Sequence, residues 1–232
     1  MGSPSVSTHR GLVHWQGLLL VVSLLNFWCL PATAQFAIVS TNVAEGKDVL
    51  LRLRNTPPDV ISFLWYKGEG AKSNRKIASI SVPLRAFAKG PLYTGREIIY
   101  TQGPVLLKEV TMEDTGIYTV VAHLRNSKKE IGFGRLNVYQ PVRRPTLQAN
   151  STTVTENKDS VVLTCNTNAV STEWLFYGMN LQLSERKKLS EDHRSLTIDP
   201  VKREDAGYYQ CEASNPISSA ESWPLELHVQ HE

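Results

Sequence analysis

The spacing Asp-x-Gly-x-Tyr stands twice in this chain and constrains the fold more tightly than any other feature. The fuller copy is Glu204-Asp-Ala-Gly-Tyr-Tyr-Gln-Cys-Glu212; the other, Glu113-Asp-Thr-Gly-Ile-Tyr-Thr-Val120, has Val120 where Cys211 stands. Glycine permits a tight turn, and the tyrosine and the residue two further on fall on one side of an extended strand. The tyrosine hydroxyl can then anchor on backbone just upstream. One structural unit therefore occurs twice, and one copy has no cysteine.

This combination is the tyrosine corner that opens strand F of an immunoglobulin-type sandwich. Each unit supplies the remaining parts at the right distances. In the first, Val49, Leu51 and Leu53 alternate along a strand, and Trp65 follows within Ser62-Phe-Leu-Trp-Tyr-Lys67. Leu53 takes the slot of the first cysteine, so Leu53, Trp65, Tyr118 and Val120 are expected to fill the space of a disulfide. A buried aliphatic side chain contributes roughly 1.5 to 3 kcal/mol, against about 2 to 4 for a disulfide. Arg96 is the expected salt-bridge partner of Asp114 beneath the corner. The interval from Gly68 to Gly95 leaves room for extra strands, which marks a variable-type domain, and its polar stretch Gly68 to Arg75 reads as a turn.

The second unit repeats the pattern with both cysteines: Val161-Val-Leu-Thr-Cys165, then Trp174, then Ser195-Leu-Thr-Ile198 and the corner. Cys165 and Cys211 are expected to be bonded. Less room between Tyr177 and Ser195 indicates a smaller constant-type domain. Its last strand is expected from Trp223 to Val229, with Pro224 at an edge or bulge. The fold class is all-β, with tandem immunoglobulin-like β-sandwiches. A V-type domain without a disulfide covers residues 35–139, a linker residues 140–145 and a C2-type domain residues 146–232. Arg143-Arg144 reads as solvated linker, and Arg186-Lys-Lys188 as a solvated turn.

Residues 1–34 read as a cleaved signal peptide, with Arg10 ahead of an apolar run from Gly17 to Leu30 and small residues at Ala32 and Ala34. The run is shorter than the roughly 20 residues of a membrane span. Cleavage removes Cys29 and leaves one cysteine pair. No second apolar stretch follows, so the mature chain is expected to be secreted, without a membrane span. Asn150-Ser-Thr152 is a glycosylation sequon. A formal charge of +3 points to no nucleic-acid partner. The chain shows no phosphate loop, histidine-rich metal motif or nucleophile elbow, so no enzyme, metal or cofactor is implied.

Asn42-Val-Ala-Glu-Gly-Lys-Asp-Val49, Trp65-Tyr-Lys-Gly-Glu69, Gly95-Arg-Glu97 and Glu113-Asp-Thr-Gly116, in this order, resemble the amino-terminal domain of the carcinoembryonic antigen-related cell adhesion molecule (CEACAM) family. That family includes the related pregnancy-specific glycoproteins, and the resemblance runs from the leader through the second domain. It implies adhesion or recognition through the face of strands G, F, C and C′ in the first domain. Carried over position by position, that face comprises Ile61, Leu64, Tyr66, Ala71, Ser73, Lys76, Val121, His123 and Lys129.

Strand parity reaches the same face independently. If Trp65 faces the core, Leu64 and Tyr66 face out; if Tyr118 and Val120 face in, Thr119, Val121 and His123 face out. Leu64, Tyr66 and Val121 are therefore expected to form an exposed contact patch. The expected partners are another immunoglobulin-family cell-surface receptor or a second copy in a homodimer, with bacterial adhesins as a further class in the family. The pregnancy-specific glycoproteins imply an alternative, a secreted regulatory ligand acting on integrins or glycosaminoglycans. A truncated form of a membrane receptor is a third reading.

Overall fold

The computed structural model describes residues 34–231, so the signal-peptide expectation, with Cys29, lies outside the described residues except at Ala34. The first domain is built from β1 (Ala37–Ile38), β2 (Thr41–Ala44), β3 (Val49–Leu51), β4 (Leu53–Arg54), β5 (Val60–Lys67), β6 (Lys76–Ser81), β7 (Ala86–Lys89), β8 (Glu97–Ile99), β9 (Val105–Leu107), β10 (Gly116–Leu124) and β11 (Lys129–Tyr139). One sheet runs β2-β11-β10-β5-β6-β7; the other side is made by β3-β9-β8 and the pair β1-β4. In the lettering used above, β5, β6, β10 and β11 are strands C, C′, F and G.

Period-2 alternation produces the core. Val49 and Leu51, Phe63 and Trp65, Tyr118, Val120 and Ala122 all turn inward and are buried together. Leu53 is half-buried at the edge of this cluster, because the chain there leaves β3 to pair with β1. Two glycines let the sheets close. Gly132 and Gly134 point inward from β11, where β1 crosses; a Cβ at Gly134 would stand 2.5 Å from the Ile38 carbonyl oxygen.

The second domain contains β12 (Thr146–Ala149), β13 (Thr153–Thr155), β14 (Val161–Asn166), β15 (Ser171–Phe176), β16 (Met179–Asn180), β17 (Lys187–Leu189), β18 (Ser195–Ile198), β19 (Gly207–Asn215), β20 (Ser218–Glu221) and β21 (Leu225–Gln230). Its sheets are β12-β14-β18-β17 and β13-β21-β19-β15-β16, with β20 also on β19. The last strand is thus shorter than expected. Trp223 and Pro224 lie in the break between β20 and β21, where proline's missing N–H interrupts no ladder.

The two domains repeat one another bond for bond at the corner. Tyr118 donates its hydroxyl to the Asp114 carbonyl at 2.8 Å, and Tyr209 donates to the Asp205 carbonyl at 2.7 Å. Trp65 pairs with Val120 as Trp174 pairs with Cys211. The cysteines are bonded, Cys165 to Cys211, across 46 residues. Register places Leu53 in the slot of Cys165: Val49 and Leu51 pair with Leu107 and Val105 as Val161 and Leu163 pair with Ile198 and Leu196.

Both corner carboxylates are ion-paired. Arg96 grips Asp114 bidentately, Nη1 to Oδ2 and Nη2 to Oδ1, each at 2.8 Å. In the second domain Arg186 Nη1 reaches Asp205 at 2.7 Å and Lys187 Nζ reaches it at 2.8 Å. The basic triplet is therefore no simple solvated turn: a fully buried Asp205 carboxylate requires cations, and two of the three are bound to it. Asp114 and Asp205 feel burial, which alone would raise their pKa values. Their cations and the backbone N–H groups of Thr111 and Lys202 nevertheless hold both below the ordinary carboxylate value.

The linker, with Arg143 and Arg144 exposed, is also bonded to the second domain. Asn215 Nδ2 donates to the Gln140 carbonyl at 2.8 Å, the Val142 N–H to Ser218 Oγ at 2.9 Å and the Arg143 N–H to Asn168 Oδ1 at 3.1 Å. The Arg144 guanidinium stacks 4.4 Å over the Trp223 ring while donating to the Glu221 carbonyl. Second-domain groups thus bond part of the linker's backbone in place of water, while Gln140, Pro141, Arg143 and Arg144 remain exposed.

Candidate partner-binding face

The outer side of β11, β10, β5 and β6 follows directly from register. Lys129, His123, Ser62 and Ser81 form one row across the strands; Ile131, Val121, Leu64 and Ser79 form the next; Phe133, Thr119, Tyr66 and Lys76 form the third. Parity assigns the side of each residue correctly. Exposure is a different matter, and here the expected patch is revised.

Val121 is 4% exposed, Tyr66 7% and Thr119 fully buried, while Leu64 is half-buried. These are central positions, hemmed in by side chains from both neighbouring strands: Val121 sits between Leu64 and Ile131, Thr119 between Tyr66 and Phe133. The turn after β5 adds a roof. Thr119 Oγ1 donates to the Gly68 carbonyl at 2.7 Å and accepts from the Gly70 N–H at 3.1 Å. Val121, Tyr66 and Thr119 thus form the floor of the face and not its contact surface.

Ile117 is 36% exposed at the end of β10, opposite Arg135, and the exposed apolar groups of β11 are Ile131, at 45%, and Phe133, at 41%, alternating along the strand. Sequence reasoning missed both. Their signal was the run Ile131-Gly-Phe-Gly134, in which large and absent side chains alternate at the strand period. Of the remaining face positions, Lys129 is exposed, Lys76 and His123 are half-buried on strands, and Ala71 and Ser73 are exposed in the turn beside the sheet. Ile61 is half-buried and unpaired at the slip in register between β5 and β10, outside the core cluster.

Electrostatically the outward strand positions of the face are one-signed. Lys129, Lys76 and Arg135 occupy outward strand positions. No carboxylate does so on these four strands. Burial, and then the Lys129 charge, push the His123 imidazole pKa below its ordinary value. Burial pushes the Tyr66 hydroxyl up. Among the described residues there is no cluster of three His, Cys, Asp or Glu suited to a metal ion, and no helix long and apolar enough to cross a membrane. Asn150 is exposed, its side-chain oxygen accepting from the Ser151 and Val162 N–H groups at 3.0 and 2.9 Å.

An immunoglobulin V-set domain family matches residues 39–139, and an immunoglobulin domain family matches residues 144–215. The chain is 42% identical over 196 residues to pregnancy-specific glycoprotein 22 of Mus musculus, covering 84% of this chain and 41% of that protein. It thus spans about two fifths of that relative's length. The crystal structure of murine CEACAM1b superposes with a TM-score of 0.77 at 40% identity, over 84% of this chain and 99% of that one. A chain in the crystal structure of a mouse coronavirus receptor-binding domain complexed with its murine receptor matches with a TM-score of 0.74 at 41% identity, over the same shares, 84% and 99%.

Proposed function

Because the chain belongs to the carcinoembryonic antigen-related cell adhesion molecule family, we propose that it is an extracellular recognition protein. Its first domain, taken as residues 35–139, binds another immunoglobulin-family receptor or a second copy of itself through the outer face of β11, β10, β5 and β6. The observation that carries this reading is the pair Ile131 and Phe133, large apolar side chains left 45% and 41% exposed side by side on an open sheet. A similar solved structure contains a viral receptor-binding domain with its murine receptor, which supports protein recognition as the use of such a scaffold. The second domain, residues 146–232, carries the disulfide and, at Asn150, a surface glycan. Residues 1–34 act as the signal peptide.

The test is binding of the secreted protein to cells and to a panel of immunoglobulin-family ectodomains, with and without Ile131→Ser plus Phe133→Ser. Unchanged binding to every partner found would sink the proposed face. The alternative, a soluble ligand for integrins or glycosaminoglycans, is weakened by the engagement of Arg186 and Lys187 with Asp205. Strong salt-sensitive retention on heparin by the doubly substituted protein would restore it.

A further inference from the structure

Resting on that reading of the face, we infer that the partner is a different protein, presenting an acidic rim around an apolar centre, and that the face is built against pairing with its own copy. Each end of the face carries cations. Lys129, beside His123, marks one end, and Arg135 and Lys76 mark the other. Ile131 and Phe133 lie between them on β11, exposed enough to bury substantial area. Glu69, exposed in the turn that roofs Thr119, brings one carboxylate beside the face against three strand cations, while Glu130 alternates to the opposite side of β11, paired with Ala122.

A two-fold dimer sets a patch against itself. With cations at both ends, they meet cations whichever way the copies are turned, and like charges facing each other across an interface disfavour the pairing. An acidic rim gains attraction at the same positions, accelerating encounter and fixing orientation. The apolar centre favours a protein over a sulphated polysaccharide, which has nothing to place on Ile131 and Phe133.

The experiment uses the chain's own charge-reversed copy, Lys76→Glu/Lys129→Glu/Arg135→Glu, as an acidic-rimmed probe with the same apolar centre. Its thermal unfolding is checked against the parent first. Sedimentation is expected to show the parent alone as a monomer and an equimolar mixture of the two forming a heterodimer. That association should weaken at least about tenfold between roughly 50 and 300 mM salt and vanish with Phe133→Ser in both. A parent that dimerises alone as tightly as in the mixture, and loses the dimer with Phe133→Ser, overturns the acidic-partner inference but leaves the face as a docking surface. A mixture that stays monomeric overturns the inference. If heparin also retains the parent and its Phe133→Ser form equally, the docking face itself fails and a polyanion is the occupant.

Discussion

Ile131 stands directly opposite Val121 in the register of β10 and β11, yet the first is 45% exposed and the second 4%. Substitutions at the two positions should therefore fail in different ways. Ile131→Ser is expected to weaken partner binding at least about tenfold, near 1.4 kcal/mol, with little change in melting temperature. Val121→Asp buries an unpaired charge and should cost about 3 kcal/mol or more of stability. Surface plasmon resonance beside calorimetry separates the two.

The corner aspartates predict the acid limb of stability. Their folded pKa values lie below the ordinary 3.8, so each contributes stability that is full above that value and is lost as pH falls through the lowered one. Urea midpoints should be flat from neutral pH down to about 5 and fall below about 4. Arg96→Ala leaves the Asp114 carboxylate without its cation and should cost roughly 2 to 4 kcal/mol while flattening that limb. Arg186→Ala should cost less, because Lys187 stays on Asp205 at 2.8 Å.

Reduction should divide the molecule. The Cys165–Cys211 bond spans 46 residues, for which the chain-entropy account gives a stabilisation of about 4 kcal/mol. Calorimetry with and without reductant should lower the transition of the second domain and leave that of the first unmoved. Equal shifts in both would mean that the domains unfold as one unit.

His123 should titrate below 6.5, because its half-buried ring is costly to charge and Lys129 adds repulsion. Lys129→Gln should raise the midpoint only partway back, since burial is the larger cause. An NMR titration of the imidazole protons checks this, and a midpoint above 6.5 in the parent contradicts it.

Much of this was legible in the chain. The corners, the tryptophans and the Arg96–Asp114 pairing rest on local spacing that survives into three dimensions unchanged. The second ion pair was equally legible, since Arg186 precedes Asp205 by 19 residues and Arg96 precedes Asp114 by 18. Alternation fixed which way Tyr66 and Val121 point but not how far neighbouring strands cover them, because that depends on Ile131, Phe133 and a turn distant in sequence. Arg144 over Trp223 had no local signal: the stack joins a linker to a strand break through folding alone.

Gly132 and Gly134 hold β11 against β1 on its inner side, while Ile131 and Phe133 stand free on the outer. Heritable change is thereby partitioned along a single strand. If the proposed face is the one used, replacing an outward residue would change what the domain recognises at little cost to folding, whereas replacing an inward glycine would force β11 away from β1. A lineage carrying this strand can try new partners one codon at a time, keeping a folded intermediate at every step.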